Sequence, residues 1–306
     1  MAWRLTDSLD TFLAAADDLL RSDPVLYTVP LTVLDTLRQA GPAAFGDSPP
    51  VFGWHESAHG AIDGAFLQTP PFPLLIASLP PGSAESLIEV LAAARQPPIA
   101  VNLSSEAEPR VLAAWAARTG GLGSSRMRSR LFKLDVLAPP DPVPPGAARV
   151  AGDGDRELLV DWTVAFVRET GAGRAERAAR AVDERLSHHG VMVWETGGES
   201  VAMAALTRQI GGVVRVMSVY TPPAHRRRGY GGAVTTAVSQ AALAAGAATV
   251  VLFTDLANPT SNALYQRLGY RPIGDRVELD LTAGEGTGAD VTGATGASYR
   301  PPTSRP

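Results

Sequence analysis

The sequence predicts two copies of one α/β fold in a chain of 306 residues. Segments with strand-like and helix-like patterns alternate along the chain, which is the order expected of an α/β protein. This order repeats after about 140 residues, and a proline-rich segment separates the two repeats. Hydrophobic residues make up 45% of the chain and charged residues 19%, so we expect each copy to bury a core of its own.

The first copy is predicted from the spacing of apolar residues and from the residues that end helices. Asp23-Pro24 and Gly41-Pro42 are typical helix stops, because proline disfavours helical geometry in the residue before it. Helices are predicted over residues 7–22, 31–40, 84–95 and 106–119. Strands are predicted over residues 51–54, 64–67, 73–78, 99–103 and 128–136.

The second copy repeats this order and some of its residues. Val51 and Trp54 have the same spacing as Val191 and Trp194, and each pair lies in the first predicted strand of its copy. Helices are predicted over residues 155–169, 174–188, 229–245 and 259–268, and strands over 191–194, 201–208, 213–220, 249–253 and 276–281. The predicted boundaries give a first domain over 1–138, a stiff linker over 139–146, a second domain over 147–282 and a disordered tail over 283–306.

Composition excludes several kinds of site and partner. The chain has no cysteine, so disulfides, thiolate metal ligands and a cysteine nucleophile are excluded, and we expect no metal. A net charge of -4 and a pI near 5.8 give no general attraction to nucleic acid or to an acidic membrane surface. No apolar run approaches the length of a membrane span, so we expect a cytoplasmic protein. The abundance of arginine and alanine beside a single lysine, Lys133, hints at a GC-rich bacterial genome.

A basic, glycine-rich turn lies between the strand predicted over 213–220 and the helix predicted over 229–245. Gly229 and Gly231 lack the side chains that would keep a ligand from the backbone. The N–H groups of a helix's first turn are unpaired and attract anions. Arg226, Arg227 and Arg228 add guanidinium groups that suit phosphate oxygens. The turn therefore predicts a site for a di- or polyphosphate.

The spacing of residues within this turn distinguishes between the known phosphate-binding motifs. A Walker A loop is excluded, because the turn has no Lys followed by Ser or Thr. A dinucleotide fingerprint is weak, since Val234 stands where its third glycine should be. A nucleic-acid contact through three arginines would give little affinity in an acidic chain. The remaining alternative without a ligand is an arginine-rich surface turn at a helix start.

The pattern Arg226-x-x-Gly229-x-Gly231 after a strand resembles the pyrophosphate loop of the GNAT superfamily of N-acyltransferases. The resemblance implies that acetyl-CoA binds along this turn. The residues implied are Val219, Tyr220, Thr221, Arg226, Arg227, Arg228, Gly229, Tyr230, Gly231 and Gly232. It also implies that each copy has a central, mostly antiparallel, twisted sheet flanked by helices.

A second motif, from Asn258 to Tyr270, is similar to the other half of the GNAT cofactor site. By itself it predicts a helix, because Asn suits the N-cap, Pro259 the first helical position and Gly269 the residue after the helix. The resemblance further implies that Asn258, Ser261 and Asn262 contact the pantetheine and nearby phosphates, and that Tyr265 protonates the departing thiolate.

The resemblance implies transfer of an acetyl group from acetyl-CoA to a primary amine by direct attack in a ternary complex. The implied acceptor is a small-molecule or peptide amine. Many GNAT proteins carry a Glu that acts as general base on the strand equivalent to residues 216–219. This chain has Val, Met, Ser and Val at those positions, so no carboxylate is available there. Glu169 is the candidate general base, with Glu195 and ordered water as alternatives. The rival function is a CoA-binding regulatory or scaffold module without turnover.

The first copy lacks the basic turn. It has Gly82-Ser83-Ala84-Glu85-Ser86 at the equivalent position, with an acid in place of the arginines, so we expect one cofactor site per chain. This degenerate copy is expected to lie beside the second and to shape the acceptor cleft. A monomer and a homodimer are both open.

The segment from His55 to His59 matches the H-E-x-x-H zinc pattern. The pattern binds zinc only on a helix, where residues four apart share a face. Gly53 and Gly60 flank this segment, and it follows a strand-like run. We therefore expect a turn at this position and not a zinc site.

Overall fold

The computed structural model describes residues 2–93 and 99–284, and its strands form one continuous sheet. The strands within these residues are β1 (Ala2–Thr6), β2 (Val51–Glu56), β3 (Ile62–Gln68), β4 (Leu74–Ser78), β5 (Ala100–Ser104), β6 (Gly123–Leu134), β7 (Ala147–Val150), β8 (Val191–Thr196), β9 (Glu199–Leu206), β10 (Val213–Tyr220), β11 (Thr249–Asp255) and β12 (Tyr270–Leu281). The α-helices are α1 (Leu9–Ser22), α2 (Thr28–Ala40), α3 (Ala84–Ala92), α4 (Glu108–Thr119), α5 (Arg156–Thr170), α6 (Ala178–Leu186), α7 (Tyr230–Ala244) and α8 (Pro259–Arg267).

The sheet has the order β1-β2-β3-β4-β5-β12-β6-β11-β10-β9-β8-β7. From each edge, five strands follow in chain order, β1 to β5 on one side and β7 to β11 on the other, and the last strand of the opposite half comes next. Neighbouring strands are antiparallel except in the pairs β4–β5 and β10–β11, which are parallel and occupy equivalent places in the two halves. The predicted fold class is therefore confirmed: a mixed α/β fold with a large, mostly antiparallel sheet flanked by helices.

The two halves of the chain exchange their last strands. β6 belongs to the first half but pairs with β11 of the second, and β12 belongs to the second half but pairs with β5 of the first. β6 and β12 also pair with each other, from Tyr270↔Leu134 to Leu281↔Gly123. The proline-rich segment at 139–146 thus divides the sequence into repeats without dividing the sheet. The domain boundaries themselves remain predictions.

Helices cover both faces of the sheet in each half. In β3 of the first half, Phe66 packs into the core beneath α3 and α4, whereas Ala65 and Leu67 pack beneath α1 and α2. In β9 of the second half, Ala204 packs beneath α7 and α8, and Met203 packs beneath α5 and α6. This alternation follows from the period of two along a strand. It places α5 and α6 on the face opposite α7 and α8.

The predicted helices and strands are present within the described residues, with shifted ends. The sequence analysis missed β1 and β7, which are the two edge strands and are short. It also placed the start of the last strand at residue 276, whereas β12 begins at Tyr270. The predicted end of α3 at residues 94–95 and nearly all of the predicted tail, residues 285–306, lie outside the described residues. None of the described helices is both long and apolar enough to cross a bilayer.

Candidate functional site

A wedge-shaped opening separates the ends of β10 and β11. The two strands pair in parallel from Val213↔Thr249 to Val216↔Leu252, although they continue to Tyr220 and Asp255. β10 carries a bulge between Met217 and Tyr220, in which Ser218 has φ 50°. A bulge bends its strand and leaves part of the ladder unpaired. Backbone groups near Val219 can therefore face a ligand lying between the strands.

The turn after β10 leads directly into α7, as predicted. Gly229 is the N-cap residue with φ 84°, and it offers no side-chain oxygen to the helix. The first bond of the helix runs from the N–H of Ala233 to the carbonyl of Gly229, at 3.0 Å. The N–H groups of Tyr230, Gly231 and Gly232 precede that bond, so this helix start has the unpaired donors that bind anions.

Two glycines of this turn are needed for different reasons. Gly229 has a positive φ, a backbone conformation that residues other than glycine rarely adopt. Gly231 has no such φ, and a Cβ there would lie 3.5 Å from the Oγ1 of Thr221, which is ordinary contact. The fold therefore does not require glycine at 231. A ligand pressed against the backbone would require it.

The arginines of the turn differ in their surroundings. Arg226 bends back, with its Nε donating to the carbonyl of Thr221 at 2.9 Å and its Nη2 donating to Glu169 at 2.5 Å. Arg227, with φ 61°, and Arg228 are exposed. The predicted phosphate-binding arginines thus remain in one turn, but Arg226 already has a carboxylate partner.

Glu169, the candidate base, lies at the end of α5 and is engaged twice. Besides the bond from Arg226, its carboxylate accepts a hydrogen bond from the hydroxyl of Tyr220 at 3.1 Å. Burial, together with this bond, raises the pKa of Tyr220 above its usual range. The alternative base, Glu195, lies on β8 and accepts from Arg149 at 2.7 Å. Both acids are therefore held in ion pairs.

The second predicted motif forms α8, at the end of β11. The Oδ1 of Asn258 accepts from the N–H of Ser261 at 3.0 Å, so Asn258 is the N-cap. The Nδ2 of Asn262 donates to the carbonyls of Asp255 at 2.8 Å and Asn258 at 2.7 Å. Its Oδ1 is buried without a hydrogen-bond partner among the described residues. A buried acceptor of this kind suits a ligand's N–H.

Tyr265 lies on α8 in the core between the sheet and α7. Its ring packs edge-on against Tyr270, with 6.1 Å between ring centres, and the hydroxyls of Tyr270 and Ser239 are 2.7 Å apart. Burial raises the pKa of Tyr265 well above its usual value and that of Tyr270 to about 12. Tyr265 is therefore protonated at neutral pH, as a general acid must be.

A cavity of about 650 Å³ reaches the opening from the face that α5 and α6 cover. Ser218 of the bulge and Phe253 of β11 line its inner end. α2 and Phe72 of the first half form the opposite wall, so both halves shape it. Glu169 and Glu195 are not among the described residues that line the cavity. Sequence analysis missed the arginines that do, although Arg215 inside the apolar run of β10 was a visible signal.

The equivalent opening in the first half is filled by the chain itself. β4 and β5 pair only at Leu74↔Val101 and Leu75↔Asn102, and Arg276 of β12 lies between them. Its guanidinium donates to Asn102 Oδ1 at 2.8 Å and to the carbonyl of Ile76 at 2.9 Å. Ser83 before α3 is buried, and its carbonyl accepts from the indole of Trp3 at 3.3 Å. These contacts occupy the places that correspond to the opening and the basic turn.

The H-E-x-x-H segment is not helical. His55 and Glu56 end β2, and the next residues form the turn to β3. His55 is buried, and its Nδ1 lies 2.6 Å from a carboxylate oxygen of Asp63. The two histidines therefore do not share a helix face, although the strand continues to Glu56 and the predicted turn begins only after it.

Several solved structures share this fold over most of the chain. A Drosophila protein has 16% identity and a TM-score of 0.65, with 92% of this chain and 98% of that chain covered. A GNAT-family acetyltransferase from Colwellia psychrerythraea has 12% identity and a TM-score of 0.57, covering 91% and 98%. A GCN5-related N-acetyltransferase from Sphaerobacter thermophilus has 14% identity and a TM-score of 0.56, with 92% of this chain and 95% of that chain covered. No curated protein sequence matches this chain.

The splayed strand pair, the helix start beside it and the sheet around them define a protein with an acetyltransferase fold. The family model described as acetyltransferase (GNAT) matches residues 157–270, from the start of α5 to the start of β12. Residues 157–270 therefore match the GNAT family, as the two motifs predicted.

Proposed function

We propose that this protein transfers an acetyl group from acetyl-CoA to a primary amine, by direct attack of the amine in a ternary complex. One observation carries the proposal. The helix start and the cavity reach the same opening between β10 and β11 from opposite faces of the sheet. A donor bound at the turn and an acceptor bound in the cavity would meet there.

The donor is held by the groups described above. The N–H groups at the start of α7 and the exposed Arg227 and Arg228 would bind the pyrophosphate. The pantetheine would lie in the opening, where the orphaned Oδ1 of Asn262 accepts one of its amide N–H groups. Backbone N–H groups at the bulge near Val219 would receive the thioester oxygen.

The reaction forms a C–N bond and breaks a C–S bond. The amine must be neutral to attack, so its proton passes to water or to a base. The electron pair of the C–S bond leaves on sulfur, and Tyr265 protonates the thiolate. Because burial keeps Tyr265 protonated at neutral pH, it can supply that proton.

We also infer that the first half is a degenerate copy of the same fold, without a cofactor site. The mirrored strand order supports this, as does the filling of the first opening by Arg276. In this proposal the first half serves the second by forming one wall of the acceptor cavity.

A CoA-binding module without turnover is the second candidate function. The observation that favours it is that, among the described residues, neither β10 nor the end of α5 offers a free carboxylate beside the opening. β10 carries none, and Glu169 is already bonded to Arg226 and Tyr220. Such a module would bind CoA at the same turn and would have no rate to lose when Tyr265 is changed.

Calorimetric titration of acetyl-CoA tests the proposal. The wild-type chain should bind about one molecule, and Gly231→Val should abolish binding. Its thermal unfolding temperature should stay within about 3 °C of wild type, because the fold leaves room for a Cβ at 231. Gly152→Val is the matched control, since Gly152 also has open space around it but lies away from the turn. Absence of binding to wild type, or unchanged binding by Gly231→Val, would refute the proposed donor site.

A further inference from the structure

Among the described arginines that line the cavity, Arg185 and Arg215 have neither an acidic partner nor a full set of oxygen acceptors. Arg185 of α6 donates to the carbonyl of Ala181 at 2.7 Å and contacts the sulfur of Met217 at 3.5 Å, and its Nε is buried with no hydrogen-bond partner. Arg215 of β10 donates to the hydroxyls of Thr28 at 3.3 Å and Thr32 at 3.0 Å. Neither forms an ion pair within the part of the chain that the structure describes.

Other arginines that lie where the two halves of the chain meet donate their hydrogen bonds to oxygen acceptors. Arg177 donates to the carbonyl of Phe45 at 2.6 Å and to that of Ala44, and so ties α6 to the first half. Arg276 has three oxygen contacts in the first opening. Arg185 and Arg215 have weaker acceptors: one of the two contacts of Arg185 is to a sulfur, and both contacts of Arg215 are to hydroxyl groups. Burial, and to a smaller extent the nearby charge of Arg185, lower the pKa of Arg215 to about 10.

The cavity is positive in a chain that is negative overall. Six arginines and three acids line it, and the formal net charge of the chain is -4. Two of those acids are already paired, Asp183 with Arg156 at 2.6 Å and Glu184 with Arg208 at 3.6 Å. A like-charged, partly desolvated pair of guanidiniums is costly to keep without a counterion. The missing counterion is expected to come from the ligand.

From this arrangement we infer that the acceptor is an anionic amine, whose carboxylate or phosphate group is bound by Arg185 and Arg215. The inference rests on the proposed function and specifies the substrate class of the same site. Guanidinium groups suit both anions, since each offers paired oxygen atoms to the donors.

Distances along β10 limit the size of this acceptor. Arg215 precedes Ser218 of the bulge by three residues, which is about 10 Å along a strand. This spacing sets a scale of about 10 Å for the separation of the anionic group and the attacking amine, which is the size of an amino acid or a slightly longer molecule. Phe166 and Phe253 also line the cavity and provide apolar surface for the acceptor's body.

Matched pools of amines test the charge preference without any substitution. Release of free CoA from acetyl-CoA is measured with the pooled proteinogenic amino acids and with the corresponding pooled amino acid amides, which keep the amine and lose the negative charge. The same measurement with phosphoethanolamine and with ethanolamine tests the preference for a phosphate group. We expect one anionic member of these pairs to react at least about ten-fold faster than its neutral counterpart, as the loss of charge-assisted hydrogen bonds predicts.

Single substitutions then assign the preference to the two arginines. Arg185→Gln and Arg215→Gln should each raise the KM of the preferred anionic amine about ten-fold or more, with the Kd of acetyl-CoA unchanged. Arg208→Gln is the matched control, because Arg208 lines the same cavity but is paired with Glu184. Arg215→Lys, which keeps the charge, should retain part of the preference and covers the case in which Arg215→Gln fails to fold.

The outcomes separate this inference from the proposed function. Equal rates with charged and neutral amines refute the inference, whether both members react or neither does. In that case calorimetry decides the rest: if acetyl-CoA binds and neutral amines are acetylated, the proposed function stands alone. If acetyl-CoA does not bind, both fail. A preference for anionic amines that survives Arg185→Gln and Arg215→Gln also refutes the inference.

Discussion

The guanidinium of Arg226 donates a 2.5 Å hydrogen bond to the carboxylate of Glu169, so the basic turn is tied to the end of α5. The guanidinium also lies over the ring of Tyr220, 5.7 Å from its centre, and the hydroxyl of Tyr220 bonds to the same carboxylate. The three side chains form one cluster beside the proposed donor site. Glu169 therefore positions Arg226, whatever its part in the chemistry.

Glu169→Gln separates a positioning role from the role of general base. Because Glu169 is doubly bonded and lies outside the cavity lining, we expect kcat to change less than about three-fold. Arg226 would lose its countercharge, so acetyl-CoA should bind about two- to five-fold more tightly, the effect of one exposed ion pair. Steady-state kinetics and calorimetry measure both, with Glu157→Gln at the other end of α5 as control. A fall in kcat of about a hundred-fold would instead establish Glu169 as the base.

Tyr265→Phe tests the general acid. The hydroxyl is the only group removed, and the ring keeps its packing against Tyr270, so stability should change little. We expect kcat to fall about 10- to 100-fold while the Kd of acetyl-CoA is unchanged. Tyr270→Phe is the control, since its hydroxyl bonds to Ser239 inside the core and should affect stability more than rate. An unchanged kcat in Tyr265→Phe would remove this residue from the mechanism.

The sequence was sufficient for the fold class and for the local structure around the candidate site. Gly229, Gly231 and Asn258 identify the helix starts because special backbone geometry and capping restrict the residues at those positions. The placement of β10, the turn and α7 was confirmed, and so was the GNAT resemblance, over residues 157–270. Local rules of this kind can be read from neighbours in the chain.

Contacts between distant residues could not be predicted in the same way. The bond between Arg226 and Glu169 joins residues that are far apart in sequence, and either charge alone has the pattern of a solvated side chain. The exchange of β6 and β12 is also invisible locally, because both strands have apolar alternation that suits either half. The short edge strands β1 and β7 carry too few apolar residues to be distinguished from loops.

The exchanged strands predict that neither half folds alone. A fragment of residues 147–282 lacks β6, so β11 and β12 lose the strand between them, and a fragment of residues 1–138 lacks β12 beside β5. Unpaired strand edges expose backbone groups and promote aggregation. We expect no cooperative thermal unfolding transition from either fragment, and recovery of one when the two are coexpressed. A cooperative transition with wild-type-like stability in 147–282 alone would show that its strands can pair without the first half.

Arg130 of β6 and Asp275 of β12 join the exchanged strands through two hydrogen bonds, of 2.7 and 2.9 Å. The bond from Arg130 holds the pKa of Asp275 below its usual range. A carboxyl whose pKa is lower in the folded state adds stability above its unfolded pKa of about 3.9, and that stability is lost as the pH falls below it.

Asp275→Asn should therefore lower the free energy of unfolding by about 1 kcal/mol at pH 7, the upper end for a pair that is about a third exposed. The difference from wild type should shrink as the pH falls from about 4 to about 2, because Asp275 becomes protonated in the folded state only as the pH passes its lowered folded pKa. Urea unfolding at pH 7 and at about pH 2 measures this difference. Asp280→Asn on the same strand is the control, since its contact with Arg126 is 3.7 Å long. A difference that stays undiminished at about pH 2 would mean that the pair stabilises the strands by packing and not by charge.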